Sequence, residues 1–137
     1  MPLKLEIVTP EARIFSDEVD TVVLPGYEGE MGVLPAHAPL ITTLRPGELR
    51  YTKGGQTTEL AIGEGLVEVT GTATKILTDM AVHEASIDEA AVQAALEKAQ
   101  ARLKDAATMG DEEVAAVQAA ILKATAQLHI KRKRRNV

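Results

Sequence analysis

The first 85 residues carry the alternating pattern of short β-strands. Leu3, Leu5 and Ile7 alternate with the charged Lys4 and Glu6, which is the period of a strand with one buried face. Further short apolar segments follow, and this part of the chain holds nine of its ten glycines and all six prolines. Many short strands between Gly/Pro turns, with links too short for helical crossovers, predict a β-sandwich or flattened barrel.

The pattern becomes helical at residue 86. From there to residue 137 the chain has no proline and one glycine, Gly110. Ser86 with Glu89 fits a capping box that starts one helix, Gly110 would stop it, and Asp111 would cap the next. Because the link is short, the two helices predict an antiparallel hairpin with arms of roughly 20 residues. The apolar residues that recur at spacings of three and four are Val92, Leu96, Ala99, Leu103, Val114, Val117, Ile121, Ala124 and Leu128.

These two patterns predict an α+β fold in two parts. Residues 1–85 would form the N-terminal β-sandwich and residues 86–137 the C-terminal helical hairpin. Alanine fills much of both helices, so they form readily but bury little area where they meet. We therefore expect a hairpin that detaches or opens without unfolding the sandwich.

The charge is divided unevenly between the two parts. The 137 residues carry a net charge of −5. Residues 1–85 hold 6 Lys/Arg against 13 Asp/Glu, whereas residues 86–137 hold 9 against 7, and five of these nine lie at 131–135. An acidic body with one basic tip argues against a nucleic-acid binder. The tip would be a solvated helix end, or would meet an acidic protein surface or anionic lipid.

The sequence lacks a constellation of catalytic or metal-binding residues. Cysteine is absent, and His37, His83 and His129 stand far apart without metal-ligand spacing. We therefore expect no catalytic residue, no metal and no cofactor. His37 lies between Pro35 and Pro39, which hold the loop extended, and would either hydrogen-bond within the loop or contact a partner.

One segment closely resembles a known family. Residues 28–40, E-G-E-M-G-V-L-P-A-H-A-P-L, match the signature loop of the epsilon subunit of bacterial and chloroplast F-type ATP synthases, roughly G-x-(L/M)-G-(I/V)-L-x-x-H-A-P-L. Residues 5–25 and 60–69 fit the same family, as does Ile87-Asp88 at the start of the helical part. The resemblance covers almost the whole chain, and the loop is its most specific part.

The resemblance implies a sandwich of about ten strands followed by a two-helix hairpin. It also implies a non-catalytic rotor subunit of the central stalk, which couples proton flow through the c-ring to ATP synthesis. Residues 1–85 would dock on the gamma subunit and the c-ring. Residues 86–137 would reach the alpha/beta catalytic head and inhibit ATP hydrolysis. The subunit would be a peripheral membrane protein at the cytoplasmic face of a bacterial inner membrane.

The family's contacts carry over to two groups of residues. The contact with the c-ring or gamma subunit would involve Gly29, Glu30, Met31, Gly32 and His37. The regulatory contact of the hairpin would involve Lys123, Lys131, Arg132, Lys133, Arg134 and Arg135. The alternative is an adaptor protein of another multi-subunit complex, and an enzyme comes third.

The chain departs from the family at one motif. Some bacterial members bind ATP through Ile/Leu-Asp-x-x-Arg-Ala and second-helix arginines. Ile87 and Asp88 match, but Ala91 stands at the arginine position, and Lys123 and Gln127 stand at the second-helix positions. Without a guanidinium group the bidentate contact with phosphate is lost, so we expect weak or absent ATP binding.

Overall fold

The described residues form ten strands and two helices. The computed structural model describes residues 3–36 and 38–135, with side chains as far as residue 133. The strands are β1 Leu3–Val8, β2 Arg13–Val19, β3 Thr21–Gly26, β4 Gly29–Val33, β5 Leu40–Leu44, β6 Gly47–Lys53, β7 Gln56–Ile62, β8 Gly65–Val69, β9 Ala73–Thr78 and β10 Ala81–His83. The helices are α1 Glu89–Leu103 and α2 Asp111–Arg135, with short 3-10 turns at Glu84–Ser86 and Ala106–Thr108.

One sheet folds over on itself to form the sandwich. Its strands run in the order β10-β7-β6-β3-β5-β8-β9-β1-β2, and β4 pairs with β3. Neighbouring strands are antiparallel except β1 and β9, which are parallel. The predicted sandwich of about ten strands is confirmed.

The core follows the alternation of the strands. Leu3, Leu5 and Ile7 are fully buried, whereas Lys4 between them is exposed. The large residues of the core are almost all aliphatic. Two of the three aromatic residues, Phe15 and Tyr51, stack at its edge with ring centroids 4.5 Å apart. The other large, fully buried side chains of this core include Leu24, Leu49, Leu60, Ile62 and Ile76.

The first helix begins two residues later than the predicted capping box placed it. Asp88 is the N-cap, and its Oδ1 accepts the backbone N–H of Ala91 at 3.1 Å. Ser86 instead ends a 3-10 turn, and the chain stays extended at Ile87, which is buried against the sandwich. The prediction was wrong because burial of Ile87 forces an extended residue where the helix would otherwise have started.

The two arms are also unequal, with 15 residues in α1 and 25 in α2. The first helix ends at Leu103 because the chain turns through Ala106–Thr108, before Gly110 is reached. Gly110 lies at the start of α2, where its carbonyl accepts the first helical hydrogen bond, from Val114. Asp111 is therefore the first helical residue and not the cap, although its charge still favours the helix dipole.

The hairpin is antiparallel, and its two arms are buried to different extents. Arg132 near the end of α2 donates to Gln93 near the start of α1, with a nitrogen–oxygen distance of 2.6 Å. No residue of α1, which the structure describes completely, is buried. Open grooves of about 280 and 460 Å³ lie between the arms. On α2, Val117, Ala124 and Leu128 of the predicted apolar stripe are nevertheless buried.

Candidate interaction surfaces

Among residues 3–36 and 38–135, no three His, Asp or Glu side chains are placed to hold a metal ion. The shifted pKa values there belong to surface ion pairs, such as Lys53 with Asp17, whose carboxyl pKa is lowered by the hydrogen bond from that lysine. None of the described helices is long and apolar enough to cross a membrane.

The predicted ring-contact residues form the exposed strand β4. Gly29 ends the tight turn from β3 with φ of +129°, which favours glycine. Gly29, Glu30 and Gly32 are exposed, and Met31 packs partly against the core. Because two of these residues lack side chains, a partner can approach the backbone closely. His37, which was predicted to contact the same partner, lies outside the described residues.

Apolar side chains stand exposed around this strand. Tyr27 and Leu34, which lie on either side of β4 in the sequence, are each 60% exposed. The guanidinium of Arg45 lies 4.8 Å from the centre of the Tyr27 ring, a cation–π contact that orients it. Together with the groove of about 450 Å³ between β4 and β5, they make this end of the sandwich suitable for contact with a protein.

A second apolar patch lies on the outer face of the layer that contains β8, β9 and β1. Leu66 pairs with Leu77, and Leu77 with Val8, so that three apolar residues cross neighbouring strands in one row. Both leucines are nearly half exposed. A groove of about 420 Å³ extends from this row to Thr9 and Pro10. The hairpin packs on β6 and β7 and leaves this row uncovered.

The hairpin is held on the sandwich by a small apolar cluster. Ile130 of α2, Ile87 and Ala61 of β7 are buried together. Ile130 is completely buried, although it lies next to the basic segment. Partly buried neighbours are Met80, Val82 and Val92. We call these six residues the docking cluster. Sequence periodicity did not single out Ile130, because it departs from the stripe that ends at Leu128.

Ion pairs surround the docking cluster. The described cations of the predicted regulatory group are all paired with carboxylates of this chain. The pairs are Lys123–Asp79 at 2.8 Å, Lys131–Glu84 at 3.4 Å, Lys133–Glu48 at 3.2 Å and, within the hairpin, Arg132–Glu89 at 3.2 Å. The side chains of Arg134 and Arg135 lie outside the described residues. Sequence analysis missed the acidic partners, and the excess of Asp and Glu in residues 1–85 was the only signal for them.

The partial ATP motif has other roles in this structure. The Asp88 carboxylate caps α1, and Ala91 is exposed. Lys123 pairs with Asp79, and Gln127 donates to the Met80 sulfur at 3.4 Å. Of the three side chains at the expected arginine positions, Lys123 and Gln127 thus join the hairpin to the sandwich, and none carries a guanidinium group.

The fold and these surfaces define a class of protein: a β-sandwich with a docked helical hairpin and exposed apolar faces, typical of a subunit in a larger assembly. The family model for the ATP synthase delta/epsilon chain β-sandwich domain matches residues 2–84. The ATP synthase epsilon chain of Herpetosiphon aurantiacus is 40% identical over 136 residues, which span 99% of this chain and 98% of that one. The corresponding chain of Carboxydothermus hydrogenoformans is 48% identical over 74% of this chain and 75% of its own.

A solved structure agrees with these relatives. A chain in the Euglena gracilis mitochondrial ATP synthase structure, which includes F1 and the c-ring, superposes with a TM-score of 0.77 and 25% identity. The match covers 93% of this chain and 79% of that one. The chain belongs to the ATP synthase epsilon chain family. The resemblance predicted from residues 28–40 is thereby confirmed, and with it the identity as a subunit of the ATP synthase complex.

Proposed function

We propose that this chain is a non-catalytic subunit of the central stalk, joined to the gamma subunit and the c-ring through its sandwich and regulating ATP hydrolysis through its hairpin. The main observation is that one small apolar cluster, bordered by partly exposed ion pairs, supports the packing of the hairpin on the sandwich, which favours a hairpin that can detach. The subunit would lie on the cytoplasmic face of a bacterial inner membrane, held there by its partners. Residues 1–85 act as the docking part and residues 86–137 as the regulatory part.

The c-ring contacts the sandwich at β4. Gly29, Glu30, Met31 and Gly32 form an exposed edge flanked by apolar residues, and the sequence of this edge is the family's most specific segment. His37 belongs to the same contact as a proposal from the sequence. A ring loop would bind here through backbone contacts and the Glu30 carboxylate.

The gamma subunit contacts the row formed by Leu66, Leu77 and Val8. An exposed apolar row on the layer opposite the hairpin would stay accessible whether the hairpin is docked or detached. Leu66→Glu should weaken co-purification with gamma at least tenfold, because a charge would be buried in an apolar interface. Glu68→Gln, next to it on the same face, is the matched control and should bind normally.

The hairpin regulates hydrolysis by leaving the sandwich and reaching the alpha/beta head. Lys123, Lys131, Arg132 and Lys133, together with Arg134 and Arg135, would then exchange their carboxylate partners in this chain for acidic residues of the head. Removing residues 86–137 from the reconstituted complex should raise ATP hydrolysis while the subunit still joins the rotor. Unchanged hydrolysis with normal assembly would refute the regulatory part and leave the docking part intact.

A further inference from the structure

A row of four alternating charges connects the β4 edge to the end of α2. Glu30 of β4 pairs with Arg50 of β6, Arg50 also pairs with Glu48, and Glu48 pairs with Lys133 of α2. Glu48 and Arg50 are two residues apart on β6, so both point to the outer face that the hairpin covers. The row thus joins the proposed ring contact to the hairpin.

Arg50 divides its hydrogen bonds between the two carboxylates. Its Nη2 lies 3.1 Å from Oε2 of Glu30, and its Nη1 lies 3.4 Å from Oε1 of Glu30 and 3.2 Å from Oε1 of Glu48. The pKa of Arg50 is raised, first by the hydrogen bond to Glu30, despite an opposing effect of burial. The pKa of Glu30 is lowered mainly by Arg50, and the charge of Lys133 adds a small contribution.

Glu48 is the centre of the row. Its side chain is 10% exposed, against 66% for Glu30 and 43% for Lys133. Oε1 of Glu48 lies 3.2 Å from Nη1 of Arg50 and also 3.2 Å from Nζ of Lys133. The two cations therefore compete for one largely buried carboxylate, where charges are screened less than in water.

We propose that Arg50 couples the β4 edge to the hairpin, so that a cationic side chain of a partner protein that pairs with Glu30 weakens the hold of Lys133 and favours hairpin release. Once Glu30 is neutralised, Glu48 is the carboxylate of the row that still pairs with Arg50. The positive charge of Arg50 then compensates more of the negative charge of Glu48. The attraction that remains for Lys133 is then smaller. The inference rests on the proposed function in two respects: β4 faces a partner, and the hairpin detaches.

The coupling can be measured in the full chain by thiol labelling. Ala61 is completely buried under the hairpin, and the chain has no cysteine, so an Ala61→Cys variant carries a single thiol that reacts when the hairpin opens. In this background Glu30→Gln mimics neutralisation by a partner. We expect it to raise the labelling rate about two-fold, because exposed ion pairs contribute little individually.

The double-mutant cycle identifies the route of the coupling. In a Lys133→Gln background, Glu30→Gln should have no effect on the labelling rate. In a Lys123→Gln background it should keep its full effect, because Lys123 pairs with Asp79 outside the row. With Arg50→Gln the effect of Glu30→Gln should fall at least by half. An equal effect of Glu30→Gln in all four backgrounds, or none in the parent, would overturn the proposal.

The outcome is independent of the test of the proposed function. Labelling reports opening in the isolated chain, whereas hydrolysis by the complex reports what the open hairpin does. A coupling that appears without any change in hydrolysis on removal of residues 86–137 would refute the regulatory role only. At about 1 M salt, where the Debye length is about 3 Å, the coupling should weaken, because Glu30 and Lys133 are the exposed ends of the row.

Discussion

The docking cluster predicts that one aliphatic side chain controls whether the hairpin is docked. Ile130→Ala removes three carbon groups from a completely buried position, which costs about 2.4 kcal/mol at about 0.8 kcal/mol for each group. The cavity left behind raises this to as much as about 4 kcal/mol. Since each tenfold change in an equilibrium corresponds to about 1.4 kcal/mol, the ratio of detached to docked hairpin should rise at least about 50-fold.

Each ion pair around the cluster contributes less docking free energy than the Ile130 side chain. Lys123, Lys131 and Lys133 have side chains that are 29–43% exposed, and such pairs each contribute at most about 1 kcal/mol. Loss of Ile130 therefore outweighs any one of them.

Distances between two spin labels, measured by pulsed electron paramagnetic resonance, can test this prediction. Spin labels at Thr57→Cys and Gln118→Cys sit on exposed positions of β7 and α2, outside the docking cluster. The parent should give one narrow distance, and Ile130→Ala a second, broad and longer component. Leu122→Ala, at a half-exposed position on the same helix, is the control and should resemble the parent. A distribution unchanged by Ile130→Ala, or a sandwich that melts along with the hairpin, would refute the reasoning.

Three further predictions concern the stability of the sandwich, the pKa of Glu30 and the binding of ATP. Gly65→Ala should destabilise the sandwich by at least about 3 kcal/mol in thermal unfolding, because the new Cβ overlaps the Leu77 carbonyl, whereas Gly71→Ala has open space and should cost little. Carboxyl titration by NMR should place the pKa of Glu30 below its ordinary value, and Arg50→Gln should restore it. Because that pKa is lowered on folding, the contribution of Glu30 to stability is present above its unfolded pKa and is lost as pH falls through the folded value. Calorimetry of the full chain with ATP should show weak or no binding, and a micromolar affinity would contradict the argument from the missing guanidinium groups.

Local patterns were sufficient to predict the elements and their types. The alternation at Leu3, Leu5 and Ile7 defines a strand wherever it lies, and the stripe that includes Val117 and Leu128 defines a helix. These patterns succeed because each is set by residues only two to four positions apart. The loop of residues 28–40 likewise identified the family before any contact was known.

Helix ends were less predictable than helix interiors. Ser86 and Asp88 are both good N-caps, and the capping box with Glu89 favours Ser86, which is not the cap in the structure. The burial of Ile87 against Ala61 and Ile130 decides it, and those partners are 26 and 43 positions away. The choice of cap was therefore a tertiary effect.

By itself, the sequence determined an acidic β-sandwich, an alanine-rich hairpin with a basic end, and membership of one family. Only the tertiary structure decided which acidic residues meet that basic end and how the hairpin is held. Glu48 and Lys133 are 85 residues apart, and exposed charges have no period from which pairing could be read. Such pairs depend on the path of the whole chain, since four strands and α1 separate β6 from α2 in the sequence. The contacts proposed to regulate this subunit are thus the ones that its local patterns reveal least.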